Sequence, residues 1–380
     1  MRRFLTIVAL IGSFSFFGGG HATAGLFSTE GLDPAFCKIK TVRQTVVYID
    51  DTMMIDGRIE WAQKISEKLK ATLTPGERVA VVRLSAETGE SSELWAGCWP
   101  NFSPEQREKL ESQTYFFSES PTKSLEDQQR FFLHDLGAAF TKVYAAAKRP
   151  ESEVRFDAAN PRKKQILRAL TSDDGRFSNS LTNIRAIVYS DLMENSDLGS
   201  VYKPAEDQKT NFASRLGSRF NRGIFYAFGV ATDVNGGEAL PEHAKAFWQS
   251  ALRSMSASIG GFGADLNVPN AIPIERADYQ LNLKFDDQEL PGKLYMLIDR
   301  DGNLIDSQIG FNRLSISGLT GTFVGDGDKY KLDGSTIGGI ATSSPSEMVH
   351  LSGSASAPSG ELGVQGTKYV FDLTAKRLKN

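Results

Sequence analysis

The stretch Thr45-Val-Val-Tyr-Ile-Asp50-Asp51-Thr52-Met53-Met54 is an apolar, β-branched run that ends in two carboxylates and a hydroxyl. Such a run reads as a strand buried on both faces that delivers polar groups to its C-terminal end, where ligands bind in open α/β sheets. A second stretch repeats the design: Ile184-Arg-Ala-Ile-Val-Tyr-Ser190-Asp191-Leu-Met-Glu194-Asn195-Ser196. Set side by side as parallel neighbours, the two strand ends would bring Asp50, Asp51, Thr52, Ser190 and Asp191 into one acidic binding site.

Outward from the first strand, Ala62, Ile65, Leu69 and Leu73 recur at helical spacing, and Thr74-Pro75-Gly76 stops that helix. Residues Glu77 to Leu84 read as the second parallel strand, and Ser92 to Cys98 as a third, at the sheet edge. A helical insertion covers about residues 101–160. It opens on Ser103-Pro104-Glu105-Gln106, a capping box with Pro at the first helical position. A long helix from Ser124 to about Lys148 then carries Leu133, Leu136, Phe140, Val143 and Ala147 on one stripe. The next helix is expected to begin near Asn160-Pro161-Arg162-Lys163-Lys164, where Lys163 or Lys164 either sets an ammonium beside the acidic strand ends or belongs to a solvated first turn. Arg222 to Val230 is a further buried strand, and the helix from Leu240 to about Ser256 would turn Phe247, Ala251 and Met255 to the sheet.

This β-α-β-β order and its strand ends resemble a von Willebrand factor A-type domain of an exported bacterial type. The resemblance implies an α/β fold with a doubly wound, mostly parallel sheet, here spanning residues 25–262. It also implies a metal-ion-dependent adhesion site. By position Asp50 matches that site's first Asp, Thr52 its first Ser, and Asp191 its late Asp, so Mg²⁺ held by Asp50, Thr52 and Asp191 is the cofactor implied. Met54 stands where the second Ser belongs, and no Ser or Thr opens the helix near residue 160. A thioether is a poor ligand for a hard cation, so the site is degenerate and Mg²⁺ is expected to bind weakly or not at all. In this class function means holding another protein.

Residues 1–24 combine Arg2 and Arg3, an apolar run from Phe4 to Phe17, and Ala22-Thr23-Ala24, the three regions of a cleavable secretory signal. The mature chain is expected in the periplasm or secreted, with no membrane-spanning segment, because no later apolar run reaches the required length. Removing Arg2 and Arg3 from 43 basic residues leaves 41 against 46 acidic ones, a net charge of −5, which argues against a nucleic-acid partner. Cys37 and Cys98 are the two cysteines, and in an oxidising compartment they are expected to pair.

Ile259-Gly-Gly-Phe-Gly263, followed by Pro269 and Pro273, marks the expected domain boundary. Residues 275–380 change character to short alternating runs, at Tyr279 to Phe285, Lys293 to Ile298, Asn303 to Ile309, Gly318 to Val324 and Tyr369 to Leu373. They read as an antiparallel β-sandwich or barrel. Asp299-Arg-Asp301-Gly302-Asn303 has the start of a calcium loop, but Gly310 stands where the twelfth-position Glu is needed, so a hairpin turn is expected. His134, His243 and His350 lie in different elements, which leaves no His-centred triad or zinc cluster visible, and no phosphate loop or dinucleotide fingerprint is present.

With what the resemblance implies, the expectation is a non-enzymatic, exported protein-binding module acting with a protein partner of the cell envelope, in assembly or transfer. A metal-dependent hydrolase or phosphatase using Asp50 as nucleophile, and a purely structural envelope component, are the two other classes that the residues allow.

Overall fold

The computed structural model describes residues 31–113, 122–154, 161–178, 182–203, 219–220, 222–230, 239–285, 288–311, 314–326, 329–337, 348–354, 359–364 and 367–377. The expected leader at 1–24 lies outside the described residues, as do parts of the helical insertion and of the Ser/Gly-rich stretch from 338 to 360.

The first unit contains β1 (Arg43–Asp50), α1 (Glu60–Thr72), β2 (Arg78–Ser85), β3 (Glu90–Cys98), α2 (Pro104–Glu111), α3 (Leu125–Ala147), α4 (Glu151–Val154), α5 (Ile166–Thr171), α6 (Gly175–Ser178), β4 (Asn183–Tyr189), the short pair β5 (Asn195–Ser196) and β6 (Gly199–Ser200), β7 (Gly223–Phe228), α7 (Ala239–Ser254) and β8 (Ser258–Gly263). Six strands form one sheet in the order β3-β2-β1-β4-β7-β8. All neighbours are parallel except β2 and β3. The mixed, mostly parallel sheet with helices is consistent with a von Willebrand A-like α/β fold.

Alternation along β1 explains why the strand reads as continuously apolar. Val46 and Tyr48 join a core with residues of α5, α6 and α7, whereas Val47 and Ile49 join a second core with residues of α1 and α3. Both faces are covered, so neither set of side chains meets water. Phe247 and Ala251 of α7, and Met255 just beyond its end, are buried in the first core. On α3, Leu136, Phe140, Val143 and Ala147 are buried, while Leu133 is only partly so. The Ser103 capping box closes reciprocally with Gln106.

Two sequence expectations are corrected here. Ile259 to Gly263 does not break the chain but forms β8, the sheet edge, paired parallel to β7. The glycines serve close packing rather than a turn: a Cβ on Gly260 would lie 2.5 Å from Cζ of Tyr226. The helix expected near Asn160 instead starts at Ile166, and Lys164 lies in an isolated antiparallel bridge with Asn195.

The second unit comprises β9 (Glu275–Phe285), β10 (Gln288–Ile298), β11 (Leu304–Phe311), β12 (Leu314–Asp326), β13 (Lys329–Ile337), β14 (Met348–Ser354), β15 (Ser359–Val364) and β16 (Thr367–Arg377). They form one antiparallel sheet in the order β14-β13-β12-β11-β10-β9-β16-β15. Its end strands β14 and β15 also run side by side, the arrangement of a curled barrel rather than of two stacked layers. Asp299 to Asn303 forms the β10–β11 turn, with Asp299 Oδ1 accepting from the N–H groups of Asp301 (2.9 Å) and Asn303 (2.8 Å).

Candidate functional site

Strand parity decides which carboxylate reaches the site. Asp50 continues the face of Val46 and Tyr48, and Ser190 continues the face of Ala186 and Val188. The β1/β4 ladder ends on the pair Ile49 and Tyr189, so Asp50 and Ser190 are neighbours. Ser190 Oγ donates to Asp50 Oδ2 at 2.7 Å, while Thr52 donates its backbone N–H (2.9 Å) and its hydroxyl (2.7 Å) to Asp50 Oδ1.

The counter-charge comes from Lys164. Its Nζ lies 3.2 Å from Asp50 Oδ2 and 2.7 Å from Asp191 Oδ1, with Asp50 fully buried and the lysine side chain only 12% exposed. Burial disfavours the ammonium, yet the adjacent Asp191 and Asp50 carboxylates outweigh it and hold the lysine pKa well above its ordinary value. The backbone of Lys164 is clamped as well: its N–H donates to Asn195 O (3.1 Å), its carbonyl accepts from Asn195 N–H (2.9 Å), and the N–H of Gln165 donates to Ala86 O (2.7 Å).

The segment carrying Asp191 is equally fixed. Leu192 adopts a left-handed φ of 57°, a conformation that costs a branched residue about 1–2 kcal/mol. Its N–H donates to Ser190 Oγ (3.0 Å) and its carbonyl accepts from Trp248 Nε1 (2.7 Å), contacts that hold it there. Two residues on, Glu194 accepts from the backbone N–H of Leu167 (2.8 Å) and from Ser196 Oγ (2.5 Å). Burial pushes the Glu194 carboxyl up to about 7, against those hydrogen bonds and the nearby Lys164 ammonium. Tyr189 sits at the rim, stacked on Trp61 at 5.3 Å between ring centroids. Its phenol is raised to about 12, first by burial and then by Asp50.

Asp50, Thr52, Ser190 and Asp191 therefore come together, and Asp51 does not. The Asp51 carboxylate turns to the opposite side, where Oδ2 accepts from Arg83 Nη2 (2.7 Å) and Nε (3.1 Å). Two carboxylates, not three, converge.

The donor set does not fit a divalent cation. Mg²⁺ requires about six oxygens at roughly 2.0–2.1 Å, whereas an ammonium already lies between the two carboxylates. Met54, at the position of a further ligand, is buried in the apolar core. Among the described residues no group of three or more His, Cys, Asp or Glu is arranged to hold a metal.

Sequence reasoning missed a second charged cluster, at the opposite ends of the strands. Glu77 is fully buried and takes Arg43 Nε (3.1 Å), Arg185 Nη2 (3.2 Å) and the hydroxyls of Thr45 (2.5 Å) and Thr74 (3.0 Å). Burial alone would raise its pKa, but Arg43 and Arg185 together with these bonds lower it. The signal was present in Ile184-Arg185-Ala186, a charge inside an apolar strand, which demands a buried partner. Glu194 was likewise in plain view without a role, because only its three-dimensional meeting with Leu167 defines one.

No family model matches the chain, and no curated protein does. Among solved structures, the ArnB paralog VWA2 from Sulfolobus acidocaldarius is similar at 12% identity and a TM-score of 0.31, the match covering 83% of this chain and 66% of that one. The human COPII-coat protein Sec24c is similar at 6% identity and a TM-score of 0.30, covering 88% of this chain and 43% of that one. This chain thus spans less than two thirds of the length of either structure.

Proposed function

We propose that this is an exported, non-catalytic protein-binding module of the cell envelope, which meets its partner through the loops at the C-terminal ends of β1 and β4. The observation that carries the reading is the state of Asp50. Both of its carboxylate oxygens are engaged, by Thr52, Ser190 and Lys164, and the side chain is fully buried. A carboxylate so satisfied supplies no free nucleophile for hydrolysis, and the surfaces left open around it are those of loops. The Cys37–Cys98 disulfide is compatible with an oxidising compartment outside the cytoplasm, and no helix among the described residues is long and apolar enough to cross a membrane.

Site-specific photo-crosslinking in intact cells tests the contact face. A probe at Ile59, exposed beside the strand C-termini, should capture a defined envelope protein, whereas a probe at Lys70, exposed near the far end of α1, should not. Equal capture from both positions, or capture from Lys70 alone, would move the binding surface elsewhere. Phosphoester hydrolysis by the purified chain that disappears in Asp50→Asn would replace this reading with an enzymatic one.

A further inference from the structure

We infer that Lys164 is a covalently built-in cation that takes the place of a divalent metal at the strand ends, so that this site is permanently closed and indifferent to Mg²⁺, Mn²⁺ and chelators. The inference deepens the function proposed above, but its test reads the cation response of the isolated chain and not partner capture, so failure of one leaves the other standing.

Three features carry it. First, the ammonium is bound as a cation would be, within 3.2 Å of Asp50 and 2.7 Å of Asp191, side chains from the ends of two adjacent strands. Second, the lysine is built into the fold rather than laid over it. Its backbone exchanges two hydrogen bonds with Asn195, on the same segment as Asp191, so the side chain reaches its partners with little freedom left to lose. A mobile surface lysine would gain little from such a pair. Third, Asp50 and Asp191 need a positive charge: removing one partner of a buried ion pair leaves an uncompensated charge. Among the described residues, Lys164 is the cation with an ion pair to both. Arg83, which also lies at the strand ends, is turned to Asp51.

An entering divalent ion would have to displace an ammonium that cannot diffuse away. Conversely, a chain without that ammonium keeps the two carboxylates and the hydroxyls of Thr52 and Ser190 around the vacated space, a set of hard oxygen donors. The preference of the site therefore rests on this one side chain.

Thermal unfolding of the mature chain with EDTA or with Mn²⁺ tests the inference directly, using wild type, Lys164→Met and the double variant Lys164→Met/Asp191→Asn. The melting temperature of wild type should be the same in both conditions. Lys164→Met should melt lower in EDTA and rise by roughly 2–3 °C when Mn²⁺ reaches about ten times its Kd, and the double variant should lose that response. If Lys164→Met folds only when Mn²⁺ is present, the inference is supported equally. It is overturned if wild type is stabilised by Mn²⁺, if Lys164→Met is as indifferent to Mn²⁺ as wild type, or if Lys164→Met folds in neither condition, since the metal then does not replace the lysine.

Discussion

Glu194 is the residue whose environment makes the most specific demand on solution behaviour. Its folded-state pKa near 7 lies above the ordinary value of 4.5, and desolvation is the main cause. Between those values the folded chain holds a proton that the unfolded chain has released, so this group favours the fold most below about pH 4.5, and that contribution is lost as pH rises through 7. A shift of this size corresponds to about 3 kcal/mol. Urea unfolding at pH 5.5 and pH 8 should show wild type losing more stability at the higher pH than Glu194→Gln, which keeps the shape but cannot ionise. Parallel pH profiles for the two proteins would mean that Glu194 titrates normally. Much of the site at this scale is legible: Asp50, Thr52, Ser190 and Asp191 stand at the ends of two apolar runs, whereas a neutralising lysine and a solvated first turn are both compatible with Lys163-Lys164 in sequence. The choice of Lys164 over Lys163 was not legible, because it follows from the bridge to Asn195 across about 30 intervening residues. Asp51 was misplaced for a related reason. The chain turns immediately after Asp50, into the 3-10 turn Asp51–Met53, and the Asp51 carboxylate ends on Arg83 of the neighbouring strand.

At the scale of elements, the edge strand β3, like β8 at the other edge, has a neighbour on one side only and needs support from elsewhere. The Cys37–Cys98 disulfide ties its last residue to the 3-10 turn Pro34–Lys38, closing a loop of 61 residues, and Phe36, Cys98 and Leu125 bury a small cluster around it. Closing a loop of that length is worth about 4 kcal/mol in the chain-entropy picture. The oxidised protein should therefore resist urea more than the reduced one by roughly that amount, and thiol labelling of denatured protein purified without reductant should find almost none. Two labelled thiols per chain would contradict the pairing. The elements with strong periodicity, β1, β2, α1, α3 and α7, were readable because burial on one or both faces imposes a regular apolar pattern. β8 was not, since Ser258 to Gly263 carries two adjacent glycines that signal a break when read alone and make room for Tyr226 when folded.

The whole molecule joins an α/β unit to an antiparallel β unit through Ala264 to Ile274, where Ile272 and Ile274 are exposed at 44% and 59%. Contacts nearby hold the units to one another: the Arg222 guanidinium lies 4.2 Å from the Tyr295 ring centroid and 3.7 Å from Asp278, which Arg276 also grips. Brief elastase treatment is expected to cut within residues 264–274 and not within β8, leaving fragments that stay together on a native sizing column and separate in denaturant. A first cut inside 258–263 would show that β8 is not held in the sheet. The eight strands of the second unit were only partly legible, because Gly- and Ser-rich runs such as those of β13 to β15 lack the alternation that marks a half-buried strand.

All of these scales meet at one ammonium, which lies where two strand ends, the Leu192 segment and the approach to α5 come together. Nitrogen-detected NMR of the lysine side chains, with Lys164 assigned by loss of its signal in Lys164→Met, observes that group itself. The Lys164 ammonium should exchange slowly, stay protonated above the ordinary lysine pKa and not change when Mg²⁺ is added. A Lys164 signal that titrates with the surface lysines, or that shifts to a solvent-exposed position as Mg²⁺ binds, would contradict it.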